Sequence, residues 1–380
     1  MKAFLLPQHR PDPGALLIFA TGTLLCLGLV MVASASMDVA QAQFANPFYF
    51  FQRHLVYVCI GLLVAFLVWQ LPLAMLERLS IHALMLSLLC LVLVLVPHVG
   101  RRINGSIRWL GIGPLTVQPS ELAKLASVLY LSGYLVRRQD EIRETWSGLI
   151  KALMVLGVAG FLLMMEPDFG ATIVIMLTAA GMLWLAGTGR KQTVASGLFL
   201  MGAGVILAFS RSYRVQRMIA YIHPWDHPFD QGYQLTQSLI AFGRGGWTGL
   251  GLGNSVQKLF YLPEAHTDFV FAVFAEEFGL VGVTLVVLVF LTLVLSGLYI
   301  GYAAEKKGQL FGAYLAYGLS VLIGVQTAMN LGVTAGALPT KGLTLPLVSY
   351  GGSSLLVELV MMALILRVHR ETQIQPGKST

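Results

Sequence analysis

Charge is what this sequence has least of. Asp, Glu, Lys and Arg make up 11% of the 380 residues while hydrophobic residues make up 56%, whereas soluble domains carry roughly a quarter charged residues. That shortage excludes a water-soluble globular chain. Cysteine is scarce too. Cys26, Cys59 and Cys90 each fall inside an apolar run, which supplies neither a disulfide framework nor a metal-ligand spacing, so they read as packing residues. There is no soluble domain, fixed-period repeat, low-complexity tract or heptad run. The glycines of Gly243-Arg244-Gly245-Gly246 and Gly249-Leu250-Gly251-Leu252-Gly253 follow no strand, so they are not a nucleotide loop but tight turns at a bilayer surface. Asp168-Phe169-Gly170 has no companion kinase signatures.

What is present is length of apolar run. A bilayer core of about 30 Å needs roughly 20 apolar residues per helix. Runs of that kind lie near 15–36, 54–71, 80–97, 119–136, 148–165, 170–187, 192–210, 269–303, 310–331 and 351–367. The expectation is an all-α polytopic membrane protein with about ten transmembrane helices. An even number puts both termini on one side. The first run is longer than a signal-peptide core and lacks a clear cleavage site, so it reads as a retained helix. With both ends inside, the short inner segments hold fourteen Lys and Arg and the short outer ones six. The positive-inside rule then makes both termini cytoplasmic. The divisions are a tail over 1–14, an integral domain over 15–369 and a tail over 370–380. One long extracytoplasmic loop spans 211–267.

That loop holds Arg211, Arg214, Arg217, Arg244 and Lys258, outward cations that run against the usual bias. A phosphate-bearing ligand would explain them. Its aromatics suit a membrane–water boundary, and 231–243 reads as a short interfacial helix. At its end stands Asp268, a carboxylate at the mouth of a membrane helix and the best candidate for chemistry. A Thr267 cap on a helix starting at Asp268 is the bland alternative. Glu121 and Lys124, three apart, form a pair on one helix face. Arg108 follows the turn signal Asn104-Gly105-Ser106, and its guanidinium fork matches a diphosphate. Glu276, Glu277 and Glu358 lie at membrane depth, where they need hydrogen bonds to other helices or a proton path. From Lys341 to Ser354, Gly, Pro and Ser interrupt an apolar sequence, which suggests re-entrant backbone lining a cavity.

Together Asn104 to Trp109, Gln118 to Lys124, Pro167 to Gly170, Leu262 to Phe269 and Lys341 to Ser354 resemble the SEDS family of shape, elongation, division and sporulation proteins. Leu262-Pro263-Glu264-Ala265-His266-Thr267-Asp268-Phe269 and Thr340-Lys341-Gly342-Leu343-Thr344-Leu345-Pro346 resemble its division branch more than its elongation branch. The resemblance implies an inverting membrane glycosyltransferase (peptidoglycan polymerase) that joins lipid II into β-1,4 glycan at the division septum, in the bacterial cytoplasmic membrane with its site on the outer face. It implies Asp268 as the catalytic residue, with undecaprenyl diphosphate leaving. It implies that Glu121 and Lys124 line a central cavity with Lys341 a matched position, and with the residues read above the substrate-binding candidates are Arg108, Glu121, Lys124, Arg214, Arg244, Lys258, His266, Lys341 and Ser349. It leaves room for a divalent cation, Mg²⁺ or Mn²⁺, with no metal-ligand set in the chain and no organic cofactor. The implied partners are a class B penicillin-binding protein transpeptidase and other divisome membrane proteins, with no nucleic acid. A lipid II flippase or a non-catalytic division scaffold are the rival readings.

Overall fold

The structure, a computed structural model, describes residues 11–103, 106–112, 115–209, 212–226 and 228–374. Helices cover every apolar run. They are α1 (Pro13–Phe44), α2 (Tyr49–Trp69), α3 (Leu73–Leu95), α4 (Pro119–Arg137), a short α5 (Gln139–Glu144), α6 (Trp146–Met165), α7 (Phe169–Leu185) and α8 (Arg190–Phe209). Then come α9 (Ser212–Ile222), α10 (Tyr233–Gly245), α11 (Val270–Lys306), α12 (Leu310–Thr334) and α13 (Gly352–Ile374). Among the described residues, seven of these are long and apolar enough to cross a membrane, and α7 is a shorter apolar helix. The chain is an all-α polytopic membrane protein.

Burial sorts the helices. The apolar window of α12 is 78% buried and that of α13 67%, against 28% for α2 and α3, so α12 and α13 form the centre and α2 and α3 the periphery. Leu62, Leu63 and Phe66 on α2 and Met85 and Leu86 on α3 are exposed. A helix satisfies its own backbone hydrogen bonds, so apolar side chains on such a face meet hydrocarbon at no cost. Cys26 and Cys59 are exposed as well, so these two lie on the apolar surface and are not core packing residues as expected.

The bundle has two distinguishable ends. At one end the His369 Nε2 lies 3.0 Å from Asp12, joining the two terminal helices, and Arg367 donates to the Trp69 carbonyl. At the other end gather the α3–α4 connection, the α6–α7 turn, the segment before α11 and the loop before α13. Tyr221 there donates to the Ala337 carbonyl and the Tyr350 amide to the His266 carbonyl. Two features of this end were not expected. The α3–α4 connection forms a three-stranded antiparallel sheet, β1 (Gly100–Ile103), β2 (Ser106–Ile112) and β3 (Leu115–Val117). Its first two strands flank the Asn-Gly signal that favours a hairpin. And α9 precedes the expected interfacial helix, which is present as α10.

Helix α11 is broken at Gly279, whose φ of 64° and ψ of −168° lie outside the helical region. The glycine-rich segment repairs the break. The amides of Leu250 and Gly251 donate to the carbonyls of Glu276 and Glu277, and those of Leu280 and Val281 donate to Gly246 and Trp247. A Cβ at Gly249 would lie 2.1 Å from the Glu277 oxygen, so only glycine permits this approach. The tight turns are thus a plug for exposed helix backbone, which hydrocarbon would not otherwise tolerate.

Candidate active site

Asp268 lies in the turn between Glu264 and α11, not on the helix. Glu264 takes a positive φ of 57° and its carbonyl accepts from the Thr267 and Phe269 amides. Thr267 does not cap α11. Its hydroxyl donates to the Glu264 carboxylate at 2.6 Å, and the helix begins at Val270 with no side-chain cap. The turn therefore presents Asp268 sideways, toward the loop before α13. An ideal Cβ built on Gly342 lies 2.9 Å from Asp268 Oδ2, so this glycine makes room for the carboxylate.

That loop is the expected re-entrant element. Leu345, Leu347 and Val348 are buried at 1–2% exposure. The backbone near Leu347 comes within 2.7 Å of a Cβ built on Gly28, midway along α1. The Leu347 amide donates to Glu358 Oε2 at 2.8 Å, and Gln326 donates to the other Glu358 oxygen. Gln326 also accepts from Lys124 Nζ at 2.8 Å, and Lys124 pairs with Glu121 at 2.8 Å. The expected Glu121–Lys124 pair is therefore one end of a buried chain, from α4 through α12 to α13 and the loop. Lys124 also borders a narrow cavity with Ser127 and Thr178.

Burial shifts two carboxyls at this corner, those of Asp268 and Glu166. Burial, then the neighbouring Glu264, raise the Asp268 carboxyl to about 7, with Arg108 pulling down and Asp168 adding to the rise. A base poised near neutrality is what proton abstraction at physiological pH requires. Arg108, on β2, is held by the α6–α7 turn, its Nε and Nη2 donating to the carbonyls of Glu166 and Pro167 at 3.1 and 2.7 Å. Asp168 caps α7 through a bond from the Ala171 amide at 3.1 Å. Next to it Glu166 is buried, and burial followed by Asp168 lifts its carboxyl to about 8. Lys341 lies over the Phe169 ring, its ammonium 4.0 Å from the centroid, a cation–π contact that points it to the same corner. His266 packs at a tilt against Phe50 and Tyr350, with ring centroids 4.6 and 5.7 Å away, and burial lowers its pKa, so its ring is neutral near pH 7.

Three expected ligand residues are placed differently. Lys258 is buried and donates to Glu277 at 2.9 Å, to Ser34 on α1 at 2.9 Å and to the Gly253 carbonyl at 2.8 Å. Arg244, half-exposed, pairs with Glu276 at 3.0 Å, whose carboxylate also accepts from the Val256 and Gln257 amides. A carboxylate at membrane depth demands such partners, and these two cations neutralise the carboxylates of α11. Ser349 is buried, and its oxygen accepts from the Leu345 amide at 2.8 Å. The Arg214 side chain lies outside the described residues. The structure thus brings Asp268, Arg108, Lys341 and His266 to one end and ties Glu121 and Lys124 into the chain beneath the loop. Sequence reasoning missed Gln326, Asn330 and Glu166. The first two are polar positions four apart in an apolar run, and that spacing on one helix face was the available signal.

No group of three or more His, Cys, Asp or Glu able to hold a metal ion exists among the described residues. Mg²⁺ is often held by one or two carboxylates plus substrate phosphates, and this corner holds the carboxylates of Asp268, Glu264, Asp168 and Glu166.

The chain resembles known proteins along nearly its whole length. The family model described as cell cycle protein, FTSW_RODA_SPOVE, matches residues 15–374. A relative from Marinobacter nauticus named "Probable peptidoglycan glycosyltransferase FtsW" is 51% identical over 362 residues, 95% of this chain and 90% of the relative. One of the same name from Hahella chejuensis is 50% identical over 348 residues, 92% and 88%. Among solved structures, a chain from a peptidoglycan synthase complex that coordinates polymerization and crosslinking superposes with a TM-score of 0.75 at 31% identity, covering 94% of this chain and 98% of that one. The rod shape determining protein RodA of Thermus thermophilus gives 0.68 at 32% identity, covering 93% and 96%. The fold, the central loop and these likenesses agree, and the chain belongs to the cell cycle protein family of FtsW, RodA and SpoVE.

Proposed function

We propose that the chain is a peptidoglycan glycosyltransferase that polymerises lipid II, with Asp268 as its general base. Its relatives are named probable peptidoglycan glycosyltransferases. The observation that carries the residue assignment is the setting of Asp268, a carboxyl raised to about 7 by burial in a corner that also holds Arg108 and Lys341.

In this reading Asp268 takes the proton from the 4-hydroxyl of the acceptor's N-acetylglucosamine as that oxygen attacks C1 of the donor's N-acetylmuramic acid. The C1–O bond to the diphosphate breaks, the α-linkage inverts to β-1,4, and undecaprenyl diphosphate departs with the bonding pair. One base suffices, because a diphosphate needs charge stabilisation more than protonation. Arg108 is suited to that role. Its Nε and Nη2 are already fixed on carbonyls, so the guanidinium is pre-oriented and loses little freedom on binding. A divalent cation, if bound with the diphosphate, would supply further positive charge.

A flippase needs ionisable groups along the bilayer depth. Glu276, Glu277 and Glu358 are instead committed to Arg244, Lys258, Gln326 and the Leu347 amide, which favours the enzyme. The site faces outward at the septum, and a class B penicillin-binding transpeptidase is the crosslinking partner. The solved neighbour that belongs to a polymerizing and crosslinking complex supports that pairing. Purified protein supplied with lipid II in detergent, with and without the transpeptidase and Mg²⁺ or Mn²⁺, tests the reading. Glycan polymer is expected, and flipping cannot produce it. Its absence under every condition would leave a transporter or scaffold.

A further inference from the structure

Asn330 sits on α12, the most enclosed of the membrane helices, and is itself buried at 2% exposure. Its Nδ2 donates to the Asp268 carbonyl at 2.9 Å and also to the Leu343 carbonyl. Both partners are carbonyl oxygens and only accept, so the nitrogen must be the atom facing them. The amide thus spans the two segments that meet at the site, the Asp268 turn and the re-entrant loop. One turn earlier on the same face, Gln326 donates to the Thr344 carbonyl and to Glu358. The two amides hold consecutive stretches of the loop. Between the segments, Asp268 Oδ2 lies 2.9 Å from the position a Cβ on Gly342 would take. Nothing in the proton transfer requires Asn330 to touch substrate.

We propose that Asn330 is a positioning residue for Asp268, a latch whose two donor bonds fix the Asp268 turn against the 342–343 backbone and so set where the carboxylate stands. The proposal rests on Asp268 being the base. A helix-borne amide is a rigid mount, and hydrogen bonds formed away from water on a buried group are costly to leave unmade. Asp268 is also faced by Glu264, Asp168 and Arg108. Releasing the latch lets its turn move toward solvent, which lowers the carboxyl toward the ordinary range, because burial is the largest cause of its rise.

The test uses purified full-length Asn330→Ala and Asn330→Asp, the second isosteric but lacking both donors when ionised. Polymerisation of lipid II is measured from pH 5 to 9, with thermal unfolding as the folding control and Asp268→Asn in parallel. For Asn330→Ala the expected result is a kcat loss of roughly 10- to 100-fold, the range a sub-ångström to ångström misplacement produces. KM is expected to stay within about twofold and the acid limb of the profile to move to lower pH, since only turnover and the base's setting depend on the latch. For Asn330→Asp, activity relative to the parent is expected to rise as pH falls, because the introduced carboxyl regains one donor on protonation. A kcat within twofold of the parent, an equal loss at every pH with the limb unmoved, or failure of both variants to fold would each overturn the latch. Should Asp268→Asn retain activity, the base assignment fails instead.

Discussion

Gly342 gives the most quantitative handle on the site. Its ideal Cβ would lie 2.9 Å from Asp268 Oδ2 with the next Asp268 atom at 3.8 Å, and ordinary carbon–oxygen contact begins near 3.4 Å. Gly342 has no left-handed φ, so alanine meets no backbone penalty there. The strain falls on the carboxylate, the free end of a side chain. Gly342→Ala should therefore displace Oδ2 by about 0.5 Å, and because misplacement by about 1 Å costs on the order of 100-fold in rate, half that distance costs roughly tenfold. The loss belongs in kcat, since the displaced group acts in the transition state and not in uniform binding. The assay is steady-state lipid II polymerisation by purified protein, with Gly157→Ala as control because a Cβ there meets nothing within 4 Å. A Gly342→Ala rate within twofold of the parent, at unchanged KM, would refute the placement of the reacting carboxylate against this loop.

Polymerisation should rise with pH through about 7 and level off above it, because Asp268 must be ionised to accept a proton and its carboxyl is raised to about 7; a rate flat from pH 5 to 9 contradicts this. Lys258→Met or Glu277→Gln alone should destabilise the protein by about 3–5 kcal/mol in chemical or thermal unfolding, the usual cost of stranding one member of a buried pair, while the double variant recovers most of it. Equal losses in single and double variants would show that the pair is not coupled. Arg108→Lys should reduce turnover by roughly tenfold, because an ammonium cannot grip both carbonyls of the α6–α7 turn and still face the leaving group as a planar fork does; an unchanged rate removes Arg108 from the site.

The membrane architecture was legible because bilayer thickness imposes a long, uniform apolar signal on each crossing. So was the Glu121–Lys124 pair, whose spacing is a property of one helix. Asp268 stood out as a carboxylate at the mouth of an apolar run. The partners of Lys258 and Arg244 were hidden, because the break at Gly279 and the return of the 246–251 backbone onto α11 are tertiary events. Nothing in a one-dimensional charge list distinguishes a cation that meets a substrate from one that meets Glu277. The three-stranded sheet was masked by its brevity, and the reading of Asn104-Gly105 as a turn stopped one step short of a hairpin. Asn330 was overlooked because its role runs through main-chain carbonyls, which any residue at 268 and 343 would provide.

Asp268→Asn is the most direct measurement. The substitution keeps the shape of the side chain and removes its basicity, so purified variant in detergent with lipid II should form no glycan at any pH from 5 to 9. A folded-state carboxyl raised above its unfolded value makes stability fall as pH rises between the two, so the variant should unfold at or above the parent's temperature at pH 8. Glycan formed at the parent's rate by this variant would contradict the account.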